Sequence, residues 1–235
     1  MIFSEPIKNF LEFKTTFSEP DINLEQYETP LLILEEFFKF KIDLNAKTIL
    51  DLGTGKGRIA YAAAWFGAST IIGIDLDSNV IRKAKGNQKE FFELLSENYT
   101  LAKQDRETLL SDFLITENNF FPSFNWISSP IEFFHFKNFI HNVDLIILNP
   151  PFGTQRKSID FVFLKQAMEV KCPILSIHKE TEHLELRLLK ILDENDFGII
   201  AEKKALFPLR KSMKQHKHNL VEIPVRLIYI KPKTD

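Results

Sequence analysis

Apolar positions along the chain alternate between two regimes. Short runs rich in aliphatic or aromatic residues occur at 48–52, 69–74, 124–128, 143–148, 172–177, 198–201 and 222–230. Their lengths and their flanking Gly, Pro and Asp residues predict buried strands. Between them, apolar residues recur at helical spacing. Leu31, Leu34 and Phe38 predict a helix begun by Thr29-Pro30, with the hydroxyl as cap and the proline in the first turn. A small-residue helix is predicted over 59–66 and a long charged one over 79–95. Further helices are predicted over 160–170 and 182–194. Phe10, Leu11, Phe13 and Phe17 predict a short amphipathic helix ended by Ser18-Glu19-Pro20. It belongs to an N-terminal arm, residues 1–24, read as packing material rather than a lid. Strands alternating with helices predict an α/β fold, a mostly parallel sheet with helices on both faces.

The pattern degrades over 97–121, which reads as an insertion because it exceeds the usual connection in such folds. It changes character again over 207–218, where nearly all the charge is positive. Arg210, Lys211, Lys214, His216 and Lys217, with the basic loop Arg156-Lys157, are candidate contacts to a phosphate backbone. The alternative is a solvated hairpin loop.

Length and composition narrow the class. At 235 residues the chain is read as one domain, 1–235, with the arm and the insertion as additions. A net charge of −2 excludes a globally basic nucleic-acid binder, so any such site is a local patch. The 23 Phe imply a thick core or an apolar surface awaiting a partner. Cys172 is the only cysteine, which excludes an intramolecular disulfide and a multi-cysteine zinc site, and no metal is expected. No run reaches membrane-spanning length and the N-terminus lacks a secretory pattern. The expectation is a soluble cytoplasmic protein, or a nuclear or nucleolar one if the source is eukaryotic.

The candidate chemistry sits at the ends of strands. Asp51-Leu52 leads into Gly53-Thr54-Gly55-Lys56-Gly57-Arg58 and then a helix. Strand, glycine loop and helix form the nucleotide-cradling unit of a doubly wound sheet. Arg58 stands where a dinucleotide fingerprint has its third glycine, and the Gly-Lys-Ser/Thr ending of a P-loop is absent. Asp51 suits a ligand with a cationic amine. Asp75, at the tip of the second strand, is placed for two ribose hydroxyls. Gln26, Tyr27 and Thr29 cluster polar groups before a helix. The run 143–148 ends in Asn149-Pro150-Pro151-Phe152, an amide and a ring on a ledge stiffened by two prolines. His178 reads as a loop or capping residue.

In this order the motifs resemble the class I S-adenosylmethionine-dependent amino-methyltransferases, over residues 24–230. More closely they resemble the small-subunit rRNA adenine-N6 methyltransferases, methyltransferase-like protein five and its archaeal relatives. Glu25-Gln26-Tyr27 with Thr29, Asn149 through Thr154, Ser176-Ile177-His178-Lys179 and Met213-Lys214-Gln215-His216-Lys217 carry that resemblance. It implies a Rossmann-like, seven-stranded, mostly parallel sheet with one reversed strand. It implies catalysis at Asn149, Pro150, Pro151 and Phe152. It implies S-adenosyl-L-methionine contacts at Gln26, Thr29, Asp51, Gly53, Gly55, Lys56, Arg58 and Asp75. The family's acid after the third strand is replaced here by Ser129-Pro130-Ile131, so Pro130 and Ile131 are the candidates at that corner. The substrate implied is rRNA. Eukaryotic relatives dock a small zinc-binding activator protein, the tRNA-methyltransferase activator subunit, on the third-strand edge; such a partner and an insertion covering that edge in cis are both open. Guanine-N2 methylation of RNA and glutamine-N5 methylation of protein are the alternative reactions, the latter family usually carrying Tyr where this chain has Phe152.

Overall fold

The structure is a computed structural model that describes residues 3–18, 20–104, 121–134, 136, 142–210 and 220–233. Seven strands form one sheet in the order β3-β2-β1-β4-β5-β7-β6. They are β1 Thr48–Leu52, β2 Thr70–Asp75, β3 Ser123–Ser128, β4 Leu145–Leu148, β5 Ile174–Lys179, β6 Phe197–Arg210 and β7 Leu220–Pro232. The pairs β1–β2, β2–β3, β1–β4 and β4–β5 are parallel, while β7 runs antiparallel to β5 and β6. The chain leaves β1 towards β2 and β3, then returns to place β4 on its other side. That reversal opens a crevice at the carboxyl ends of β1 and β4, the position where such sheets receive ligands.

Period-two alternation divides the core between two faces. Ile49, Ile71, Leu145 and Ile147 point to one, and Leu50, Ile72, Ile146 and Leu148 to the other. The first face is covered by α1 Glu5–Lys14, α2 Leu31–Phe38, α3 Arg58–Trp65 and α4 Ser78–Gln104. Ala60, Ala62, Ala63 and Ala64 bring α3 close to the sheet. The second face is covered by α5 Ile159–Met168 and α6 Leu184–Glu194. Many of the Phe side chains, including Phe10, Phe37, Phe91, Phe136, Phe197 and Phe207, are buried, so much of the ring content is core.

Several boundaries depart from the sequence reading. Helix α4 continues to Gln104, so the expected insertion begins inside a helix; residues 105–120 lie outside the described residues. Helix α1 ends at Lys14; Phe10 and Leu11 are buried, whereas Phe13 is 75 % exposed and Phe17 lies beyond the helix. The hairpin strands are longer than expected, and Phe207 to Arg210 belong to β6 rather than to a loop. Asp144, which interrupts the apolar run before β4, accepts from the Thr48 amide and pairs with Lys47. Among the described residues no helix is long and apolar enough to cross a membrane.

Candidate active site

The ledge begins where β4 stops. Neither proline can donate to a neighbouring strand, so the chain turns out of the sheet after Leu148. The Asn149 side chain is held by a residue far away in sequence: Nδ2 donates to Thr29 Oγ1 at 2.9 Å. Its Oδ1 is buried and has no partner among the described residues. The Pro150 carbonyl accepts from the Tyr27 hydroxyl at 2.8 Å. Burial, reinforced by the charge of Glu25, pushes that phenol well above its ordinary pKa and keeps it a neutral donor. The Phe152 ring stacks on Tyr27 and meets Phe207 edge-on, so the expected base-stacking ring is itself part of an aromatic cluster.

Thr29 corrects one expectation. Pro30, not Thr29, occupies the cap position of α2, and no side chain caps that helix. The threonine hydroxyl serves Asn149 instead.

The glycine loop follows β1. The Gly53 and Thr54 amides donate to the Ile74 carbonyl at 2.8 and 3.0 Å, fastening the loop to the end of β2. Gly55 and Gly57 have φ of 53° and 83°, a region open to glycine and strained for other residues. The Gly55 amide donates to Asp75 Oδ2 and the Asp77 amide to Asp75 Oδ1, both near 2.9 Å. Each carboxylate oxygen keeps lone-pair capacity for a further donor. Burial raises the Asp75 pKa, partly offset by these amides.

Asp51 is fully buried and does not line the cleft. Its Oδ2 accepts from Thr54 Oγ1 at 2.6 Å, and burial pushes its pKa up to about 7. Through Thr54 it shapes the loop from below, and its Oδ1 is buried with no partner among the described residues. Gln26 lines the cleft, but its amide joins Asp77 to the Asp21 backbone. Lys56 donates to the Thr16 carbonyl. Arg58 reaches the Leu11 and Thr29 carbonyls and the Thr15 and Thr16 hydroxyls. These polar side chains bind the N-terminal arm over the site. Thr15 and Phe17 thereby line the cleft, which makes the arm part of its wall.

The third-strand corner contributes Pro130 and Ile131 to the lining, as the sequence suggested, and also Glu132. Glu132 was missed because it lies one residue past the corner. It pairs with Arg156 at 2.5 Å, which places that basic residue at the cleft rim. Lys157 is exposed beside it. Lys211, Lys214, His216 and Lys217 lie outside the described residues, as does the Arg210 side chain. His178 is not a loop residue. It is fully buried on β5, within hydrogen-bonding distance of Ser176 at 3.0 Å and Asp160 at 3.2 Å.

The cleft encloses about 220 Å³ between the glycine loop, the 24–29 segment, Leu76, the Pro130 corner and Asn149. A carboxylate for ribose, a glycine cradle, apolar walls at Leu76, Pro130 and Ile131, and an orphaned amide oxygen beyond them fit S-adenosylmethionine with a nucleophile beside it.

Comparison with known proteins agrees with this geometry. Residues 43–127 match the family described as Methyltransferase domain. The chain is 29 % identical over 231 residues to rRNA N(6)-adenosine-methyltransferase METTL5 of Danio rerio, covering 92 % of each chain. Its fold superposes, with a TM-score of 0.74 and 23 % identity, on a candidate RNA methyltransferase of Pyrococcus horikoshii, covering 99 % of this chain and 100 % of that one. A TM-score of 0.53 at 12 % identity relates it to magnesium protoporphyrin IX methyltransferase of Synechocystis with bound S-adenosylmethionine, covering 97 % and 93 %. The glycine loop, the Asp75 carboxylate and the Asn-Pro-Pro-Phe ledge converge on one cleft, and in sequence and fold the chain is similar to class I S-adenosylmethionine-dependent methyltransferases.

Proposed function

We propose that this enzyme methylates the exocyclic N6 of an adenine in RNA, with small-subunit rRNA as the substrate. The observation that carries the reading is the Asn149 amide, tethered at Nδ2 and open at Oδ1. S-adenosylmethionine supplies an electrophilic methyl on a positively charged sulfur. Adenine N6 is a poor nucleophile because its lone pair is delocalised into the ring. Asn149 Oδ1 and the Pro150 carbonyl accept its two hydrogens, which favours a pyramidal nitrogen and aims its lone pair along the line of attack. The Pro150 oxygen has a second lone pair beyond the one facing Tyr27. No base is needed before attack, since the methylated N6 cation loses its proton readily to water. A target base flipped out of its stack lies against the Tyr27–Phe152 aromatic pair.

Support for adenine over a protein amide comes from the basic residues at the rim and from the similarity to METTL5, an rRNA N(6)-adenosine-methyltransferase. Edge strand β3 is where a small zinc-binding activator protein would dock, as the family resemblance implies. A labelled-methyl transfer assay on rRNA, tRNA and protein fractions, with and without such a partner, followed by nucleoside mass spectrometry, tests the reading. N6-methyladenosine in small-subunit rRNA is the expected product. N2-methylguanosine or methylglutamine overturns it.

A further inference from the structure

We propose that Tyr27 and Thr29 form a positioning clamp for the two acceptor atoms of the ledge, and that Thr29 sets which end of the Asn149 amide faces the substrate. This rests on the adenine-N6 reading above.

An asparagine amide presents an acceptor at one end and two donors at the other. Only the acceptor end can take a hydrogen from a substrate amine. The opposite orientation sets donor against donor. Thr29 Oγ1 takes the NH2 end at 2.9 Å and leaves Oδ1 buried without a partner. A buried acceptor left open in this way is costly, and the cost is recovered when a donor arrives. The hydroxyl is not occupied as a helix cap, because α2 is capped at Pro30 without a side-chain bond.

Thr29 is itself held in place. It is 5 % exposed, and its carbonyl accepts from Arg58 Nη1 at 3.0 Å. Arg58 is anchored in turn to Leu11, Thr15 and Thr16 of the arm. Pro30 restricts the Thr29 backbone from the other side. Two residues earlier, the Tyr27 hydroxyl donates to the Pro150 carbonyl, the second acceptor. One short segment therefore touches both groups that the mechanism needs, and each contact spans more than a hundred positions of sequence. A group that must be placed to within a fraction of an ångström needs support of this kind.

The test compares Thr29→Val, Thr29→Ser and Tyr27→Phe in the full-length enzyme. Single-turnover and steady-state kinetics on rRNA are read beside calorimetric binding of S-adenosylhomocysteine. Thr29→Val is expected to lower kcat about 10-fold, while KM for RNA and the S-adenosylhomocysteine Kd stay within about twofold. Thr29→Ser keeps the hydroxyl and is expected within about threefold of wild-type kcat. Tyr27→Phe keeps the stack and is expected to lower kcat about threefold. Introduced into Asn149→Ala, Thr29→Val should have no further effect, because its partner is gone. Wild-type kcat in Thr29→Val, a loss seen in S-adenosylhomocysteine affinity rather than in kcat, or full additivity with Asn149→Ala overturns the clamp. If Thr29→Val melts too low to assay, a Thr29→Ser kcat as low as that of Asn149→Ala overturns it equally. Failure of the underlying reading looks different: wild-type enzyme making no N6-methyladenosine, or Asn149→Ala turning over at the wild-type rate.

Discussion

The rings of Tyr27 and Phe152 lie stacked, with centroids 4.9 Å apart and planes 27° from parallel. Phe207 of β6 meets both edge-on, at 5.5 and 5.2 Å. A segment before α2, the ledge after β4 and the terminal hairpin are thus joined under the site by one aromatic cluster. Phe152 is 9 % exposed, so its ring contributes packing as well as surface. Phe152→Ala should cost about 3–5 kcal/mol in urea unfolding, the range for deleting a buried ring. A loss of turnover with no loss of stability would show that the ring acts on substrate alone.

Asn149→Ala should reduce kcat about 10²–10³-fold, by analogy with removing one preorganised polar contact. Calorimetric affinity for S-adenosylhomocysteine should hold, because no backbone of the glycine loop or Asp75 changes. Equal losses in both measurements would assign Asn149 to cofactor binding.

Asp51 makes stability depend on pH. Burial, the largest influence, lifts its carboxyl to about 7, with Thr54 and the Ala60 amide opposing and Asp75 adding to the rise. The unfolded chain releases that proton near pH 4. Between about pH 4 and 7 the folded state therefore holds a proton that the unfolded state has lost, and stability falls as pH rises through that window. Asp51→Asn cannot ionise. Wild-type stability relative to that variant should drop by up to about 4 kcal/mol between pH 4 and 8. Parallel curves from guanidinium titrations at several pH values would contradict this.

Gly73 lies under Trp126. A Cβ there would sit 2.6 Å from two indole carbons, and Trp126 Nε1 is tied to Gln88 at 3.0 Å. Gly73→Ala should force the ring aside and cost about 1–3 kcal/mol, with a matching change in tryptophan emission. Because Trp126 also covers Gly57 of the glycine loop, S-adenosylhomocysteine binding should weaken as well.

Arg58 is buried, and its guanidinium holds α1, the Thr15–Thr16 turn and the Thr29 carbonyl together. Arg58→Ala leaves those acceptors unmet and should cost about 2–4 kcal/mol. Limited proteolysis should then cut first within the N-terminal 20 residues. An unchanged digestion pattern would mean the arm is held by Phe10 and Leu11 packing alone.

Much of the architecture was legible in the chain because it is encoded between neighbours. Short apolar runs gave all seven strands, and successive residues such as Ile49 and Leu50 do pack on opposite faces. The glycine loop, Asp75 and the Asn-Pro-Pro-Phe ledge are contiguous signals whose chemistry follows from residue type and strand end. The Pro130–Ile131 corner was found by its place after β3, and it does line the cleft. Strand ends were less legible: β6 extends to Arg210 because it pairs with β7, and pairing cannot be read from one strand.

What the sequence determined by itself is the set of elements and the Asn-Pro-Pro-Phe ledge, since local torsional preference and periodicity act over a few residues. Only the tertiary structure decided what each polar side chain is for. Thr29 looked like a helix cap and instead holds Asn149, 120 positions away. Arg58 looked like a ligand contact; it lines the cleft and also gathers the arm. His178 looked like a loop residue and is a buried strand residue beside Asp160. A hydroxyl, a guanidinium or an imidazole can satisfy its hydrogen bonds in many ways. Which way is chosen depends on the partners that packing brings within about 3 Å, and that is a property of the folded chain alone.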